Sequence, residues 1–199
     1  MVNQQARRFF DEGQESFDHT FEKIAFEIWK HQDQKAYFIG DQTTLAIPNI
    51  DAINLTDQPP LSAVSLAELA ARLGLDPEAL ERTVKEFNQS VNDRKFDPLV
   101  RDGKATTGIE PPKSNWAFPI NSPPYIAYPL TCAITFTFGG IRTNNHGQVV
   151  TSTNKIIAGL YAAGEVTGLY YHEYPAGTSV LRSATFGRII GSHIANQDN

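Results

Sequence analysis

Residues 159–191, "GLYAAGEVTGLYYHEYPAGTSVLRSATFGRIIG", decide the fold. The first part is apolar and short enough for a strand, and it ends in a glycine turn at Gly164. An irregular aromatic segment follows, then a run of small and apolar residues that predicts a last helix from about Thr178 to Ala195. A strand, a glycine turn and a helix N-terminus in that order can hold a phosphate or a polar ring, because the first-turn N–H groups lack partners within the helix.

Working outward, "AITFTFGG" (133–140) reads as a strand, "NNHGQ" (144–148) as a turn, "QVVTS" (148–152) as extended, and "KIIAGLYAAGE" (155–165) as a buried strand. The preceding region, 96–130, carries seven prolines, so it cannot be one long regular element. It is expected to be a long ordered loop crossing between two domains, and such loops often line sites. Further upstream, Ser65 with Glu68 three residues on is a capping-box pattern, and Gly74 closes that helix. Asp76-Pro77 opens a second helix with Leu80, Val84, Phe87 and Val91 on one stripe. Residues 42–64 read as loop. "KAYFIGD" predicts a short strand, Ala36 to Ile39, stopped by Gly40-Asp41, and "FDHTFEKIAFEIWKHQ" (17–32) predicts an amphipathic helix. The fold class is α+β: a helical, proline-rich front half and a β-then-helix back half, with the boundary near residue 130.

Bulk composition narrows the function. Of the 199 residues 41% are hydrophobic and 20% charged, enough apolar material for a packed core. The formal charge of −5, with no basic cluster on one face, argues against nucleic acid as a partner. The single cysteine, Cys132, excludes a disulfide framework, reads as a small core residue and fits a reducing compartment. The opening "MVNQQARRFFDEG" has no apolar signal-type region, and no run reaches the length of a membrane span. A soluble cytoplasmic protein is the expectation. His146 reads as a turn residue, and His19, His31 and His193 stand alone without ligand spacing, so no metal site is expected.

Three segments in the same order, "ITFTFGGIRTNNHGQVV", "IIAGLYAAGEVTG" and "GTSVLRSATFGRIIG", resemble the C-terminal end of FAD-dependent flavoproteins of the fumarate reductase and succinate dehydrogenase family. "RRFFDEG" (7–13) resembles the segment entering that family's substrate-capping domain, and "PPKSNWAFPINSPPYIAYPLT" (111–131) is similar to its tricarballylate dehydrogenase branch. The GxGxxG unit with which such enzymes begin, and which holds the FAD pyrophosphate, is absent from the sequence. The resemblance therefore implies an entry segment at 1–14, a capping domain at 15–130 and a partial C-terminal FAD-binding segment at 131–199.

By the same resemblance, Gly164 and Glu165 approach the FAD, the carboxylate bonding its polyol or ribose hydroxyls, while Thr178, Ser179 and Val180 meet the isoalloxazine. The substrate side departs from the fumarate reductase pattern. Tyr174 stands where those enzymes have a carboxylate-clamping arginine, Thr135 and Phe136 where they have a histidine, and about Ser16 where they have a proton-donating arginine. "EYPAG" (173–177) is instead similar to the "YPGPG" segment of ketosteroid dehydrogenases, which makes Tyr174 an acid/base candidate with His172 and Glu173 beside it. A tyrosine of ordinary acidity is a poor base at neutral pH and needs a nearby cation or hydrogen-bond donor. Arg182, Arg142, Arg7 and Arg8 are the candidate carboxylate clamps. Lys113 and Asn115 are weaker ones.

Three readings follow. The chain is part of an FAD-dependent oxidoreductase acting on a C–C bond of a small molecule, such as a polycarboxylic acid or, alternatively, a ketosteroid. Or it is a non-catalytic remnant or interaction module. Or a separate FAD-domain polypeptide completes it. If an FAD domain is missing, strand 156–163 and helix 178–195 should show an apolar face, unless a homo-oligomer covers it.

Overall fold

The computed structural model describes residues 1–47, 56, 58–134, 137–171, 174 and 177–197, apart from the Asp18 side chain. It divides into two compact units, Met1–Ala133 and Ile134–Asn199.

The first unit is built on a three-stranded antiparallel sheet. Strand β1 (Ala36–Asp41) and β2 (Leu61–Ala63) flank β3 (Tyr125–Leu130), with Ala36 opposite Leu130, Asp41 opposite Tyr125 and Leu61 opposite Ala127. The proline-rich stretch thus supplies the central strand rather than only a loop, correcting the sequence expectation. Pro129 is tolerated because β2 pairs only with residues 125–127, which leaves β3 a single neighbour at that point.

Strand β1 runs two residues past the expected Ile39 and stops at Asp41. Asp41 is fully buried, and its carboxylate accepts from the Asn121 and Ser122 amides at 2.7 and 2.8 Å while capping the short helix α2 (Gln42–Leu45). Residues 42–64, expected as loop, therefore contain α2 and β2; residues 48–55 and 57 lie outside the described set.

The helices follow their caps. In α3 (Leu66–Leu73) the Ser65 hydroxyl accepts from the Glu68 amide at 3.1 Å, and Gly74 ends the helix in the left-handed conformation. Glu68 reaches back to the Val64 N–H, one residue before the position a capping box predicts. Helix α4 (Pro77–Ser90) is capped by Asp76 and buries Leu80, Val84 and Phe87. Leu80 and Val84 join Leu69, Leu73, Tyr37, Ile39 and Ala127 in the core. Helix α1 (Phe17–His31) buries Ile28 but leaves Phe26 and Trp29 substantially exposed, so its apolar stripe is only partly covered.

In the second unit, β4 (Gln148–Val150) and β5 (Ile156–Tyr161) pair antiparallel with an irregular register. The Asn144 side chain shapes the preceding turn by accepting from the amides of His146 and Gln148 at 3.0 Å. Contrary to expectation, no described residue of 133–140 lies in a strand; Gly139 and Gly140 both adopt positive φ there. Nor is β5 buried: Ile156, Ile157 and Leu160 are exposed, and among the described residues β4 is its one strand partner. A 3-10 turn (Gly164–Val166) then leads through an irregular segment to helix α5 (Thr178–Ala195), the span that the sequence predicts. Val180, Leu181 and Ile194 are exposed on α5. Among the described residues, no helix is long and apolar enough to cross a membrane.

Candidate functional site

The site is built from the 3-10 turn and the first two turns of α5. Gly164 is buried at positive φ, and a Cβ there would come within 3.0 Å of the Ser183 hydroxyl, so glycine lets the turn close onto the helix. This places Glu165 beside α5. One carboxylate oxygen accepts from the Thr137 amide at 2.9 Å; the other pairs with the Arg182 guanidinium and lies 3.5 Å from the Ser179 hydroxyl.

Arg182 is the buried member of this pair. Its side chain is 2% exposed against 42% for Glu165. It also donates to the Thr167 carbonyl at 3.1 Å and lies over the Tyr170 ring, 4.7 Å from the centroid. Its Nε is buried without a hydrogen-bond partner. The guanidinium is thus enclosed by residues of its own chain.

The α5 N-terminus has a different character. Its N-cap is Gly177 at φ +76°, which brings no capping side chain, and nothing lies within 4 Å of the place a Cβ would take. First-turn amides are normally satisfied by such a side chain. Here the Ser179 N–H donates instead to the Tyr174 phenol oxygen at 3.1 Å. The Ser179 hydroxyl and then this backbone N–H hold the phenol below the ordinary tyrosine pKa, because donors at a helix N-terminus favour the anion. Tyr174 therefore has the stabilising donor that an acid/base role requires. Tyr170 meets the Tyr174 ring edge-on, centroids 6.2 Å apart, and its hydroxyl lies 3.4 Å from the Thr178 carbonyl.

The structure brings together Gly164, Glu165, Thr178, Ser179, Tyr174 and Arg182, and leaves Val180 strongly exposed on the same turn. His172 and Glu173 lie outside the described residues. The other cations are placed elsewhere. Arg8 is buried against the Pro111 and Pro112 carbonyls and Glu12, and Arg142 bonds Asn154. Arg7 is exposed. Lys113 pairs with Glu12 at 3.6 Å, and Asn115 ties Gly13 to Gly103.

Sequence reasoning missed Tyr170 and Thr167 as site members. The Tyr170–Tyr174 spacing was the available signal for the first; the second enters through its backbone carbonyl, which carries none. His193 does not stand alone, because its ring stacks on His146 at 4.5 Å. Even so, no group of three metal-ligating side chains occurs among the described residues.

The donor set fits a flavin nucleotide. A helix N-terminus whose N-cap residue brings no side chain suits a ring edge bearing partial negative charge, the Thr178 and Ser179 hydroxyls can pair with polar atoms, and Glu165 keeps an exposed carboxylate face for hydroxyl groups.

Comparison with known proteins agrees. The family model described as FAD binding domain matches residues 1–180. The chain is 30% identical over 198 residues to a fumarate reductase (cytochrome) of Shewanella frigidimarina, covering 98% of this chain and 31% of that protein. It is 34% identical over 143 residues to a 3-oxosteroid 1-dehydrogenase of Mycobacterium tuberculosis (strain ATCC 25618 / H37Rv), covering 69% of this chain and 25% of that one. Among solved structures, the open conformation of a flavocytochrome c3 fumarate reductase matches with TM-score 0.73 and 25% identity, over 96% of this chain and 31% of that chain. The chain thus spans less than a third of each of these relatives. It belongs to the FAD binding domain family, and the relatives it matches include a fumarate reductase and a 3-oxosteroid 1-dehydrogenase.

Proposed function

We propose that this chain forms part of an FAD-dependent oxidoreductase acting on a C–C bond adjacent to a carbonyl or carboxyl group. The observation that carries the reading is the joint placement of Glu165 and the α5 N-terminus opened by Gly177, with Tyr174 seated on it. Gly164 and Glu165 hold the cofactor's hydroxyls, and Thr178, Ser179 and Val180 face its ring. FAD, when bound, supplies two-electron transfer at its N5 position. Tyr174 handles the α-proton, its phenolate being stabilised by Ser179. His172 is its candidate partner on sequence grounds. Arg182 positions Glu165 and Tyr170 and does not touch the substrate, which fits its burial.

The substrate class divides in two. A polycarboxylic acid, as in the tricarballylate dehydrogenase branch, rests on the resemblance of residues 111–131. A ketosteroid-type substrate rests on the resemblance of residues 173–177; Arg8 and Arg182 are engaged within the chain, so a carboxylate clamp, if this chain supplies one, falls to Arg7 or Arg142. The single cysteine supports a reducing, cytoplasmic setting. The exposed apolar residues of β5 and α5 support a covering partner, either a separate FAD-domain polypeptide or a second copy of this chain. Light scattering of the purified chain, alone and with that polypeptide, separates these.

The test of function is anaerobic mixing of the FAD-loaded protein with a saturated 3-ketosteroid or a saturated tricarboxylate, following the flavin absorbance. Bleaching by one class assigns the substrate. FAD that binds but bleaches with neither contradicts the proposed reaction.

A further inference from the structure

We propose that the C-terminal half of α5 and the turn before β4 form a second binding site, for an oxyanion of the phosphate type, with Arg188, His146 and His193 as its principal donors. A cavity of about 350 Å³ opens there, lined by His146, Arg188, Ile189, Ser192, His193 and Asn196. It lies wholly within the second unit. Ser192 is about 20 Å along α5 from Ser179 at the helical rise per residue, so this is not the flavin site described above. The inference does not depend on the FAD reading.

Local sequence builds the site. Arg188, Ser192 and Asn196 recur every fourth residue and so share one face of α5. Gly147, at φ +73°, lets the turn close on the helix, since a Cβ there would collide with the Ile190 side chain. That close approach stacks the His146 ring on His193, with centroids 4.5 Å apart and planes 15° from parallel.

The donors define the ligand. Among the described residues the side chains of Arg188, Ser192 and Asn196 have no hydrogen bond or ion pair, and no carboxylate lines the cavity. The Gln197 carbonyl accepts from the Tyr161 hydroxyl at 3.2 Å, and its NH2 group donates to His193 Nε2 at 2.9 Å. This bond puts the proton of a neutral His193 on Nδ1, for which the described residues supply no acceptor. A guanidinium, an imidazole N–H, a hydroxyl and an amide thus meet with hydrogen bonds unspent, and together they fit the several oxygens of a tetrahedral anion. The α5 C-terminal dipole opposes an anion with only about half a charge, against the full charge of Arg188.

The histidine pair makes binding acid-favoured. Two imidazolium rings 4.5 Å apart would repel each other and Arg188, and a bound anion offsets that repulsion. Binding therefore takes up protons, and affinity rises as pH falls through the ordinary histidine range, about 6.5. Among the described residues, the titratable and charged groups facing the pair are Arg188 from α5 and Tyr161 from β5, whose ring centroid is 6.1 Å from that of His193.

The test titrates the whole chain with sodium sulfate, whose charge is constant across the histidine range, at an ionic strength held fixed with chloride. Histidine ring NMR signals, assigned with His146→Gln and His193→Gln, report binding, and melting curves confirm folding. The expected result is a saturable shift of both rings, tighter at about pH 6 than at about pH 8. Arg188→Gln should weaken it at least about tenfold, the worth of a charge-assisted hydrogen bond. Inorganic phosphate compared with glycerol phosphate then separates the sources: a tighter ester assigns a phosphorylated small molecule, an equal or weaker one a free oxyanion. Shifts that fail to saturate, that chloride reproduces, that are equal at both pH values, or that Arg188→Gln leaves unchanged overturn the site. Competition by FAD also overturns it, because the cavity would then belong to the flavin site.

Discussion

Removing either member of the Glu165–Arg182 pair should cost very different amounts. Glu165→Gln takes the counter-charge away from a guanidinium whose side chain is 2% exposed, leaving it with the Thr167 carbonyl and the Tyr170 ring. Stranding a fully buried charge costs about 3–5 kcal/mol. Because the Glu165 side chain is 42% exposed, water can partly replace the lost carboxylate, and about 2–3 kcal/mol is the expected loss here.

Arg182→Met is milder. Glu165 turns to solvent and keeps the Thr137 amide, an apolar chain fills the buried space, and the main loss is the hydrogen bond to Thr167, about 1 kcal/mol. Tryptophan fluorescence is uninformative, since Trp29 and Trp116 both lie in the first unit. Amide exchange of α5 in the folded chain, combined with urea unfolding followed by circular dichroism, reads the relevant unit. Equal losses, or a larger loss for Arg182→Met, would refute the reasoning that burial makes the arginine the costly charge.

Further expectations concern acidity and caps. Burial alone would raise the Glu12 carboxyl, but Lys113, the Met1 amino group and Arg8 outweigh it and hold the group well below the usual carboxylate range. Its contribution is therefore present above the ordinary pKa near 4.3 and is lost as pH falls toward the folded-state value. Glu12→Gln should destabilise the chain at neutral pH and flatten the acid limb of a stability–pH curve; an unchanged acid limb would count against this. Ser179→Ala should move the Tyr174 ionisation back up toward 10, read by NMR of labelled tyrosine, since the Ser179 hydroxyl is the leading cause of its lowering. Ser65→Ala should cost about 1 kcal/mol in thermal or urea melts through loss of the α3 cap.

The parts legible in sequence are those governed by short-range rules. Ser65 and Gly74 bracket α3, Asp76-Pro77 opens α4, and the α5 limits follow from a run of small and apolar residues. What stayed hidden depends on partners distant in sequence. Asp41 reads as a strand terminator and does end β1, but nothing local shows that its carboxylate also holds the amides of Asn121 and Ser122, which draws the proline-rich stretch beside β1. Apolar β5 reads as buried because sequence reports what a segment prefers, not what is present to cover it. At the site, the family resemblance singled out Gly164, Glu165, Tyr174, Arg182 and residues 178–180, and the structure places Gly164, Glu165, Tyr174, Ser179 and Arg182 in one cluster. That Arg182 spends its charge on Glu165, and that Tyr174 caps α5, are geometric facts with no local signature.

The central claim is that the turn at 164–166 and the start of α5 hold FAD. The most direct measurement is an FAD titration of the purified chain, following fluorescence quenching and thermal melting together, with Glu165→Ala as the comparison. The account predicts saturable quenching and stabilisation of the folded state, about 2.7 kcal/mol at a hundredfold excess over Kd, with both weakened in the variant. A chain that melts cooperatively but neither quenches FAD nor gains stability from it would contradict the account.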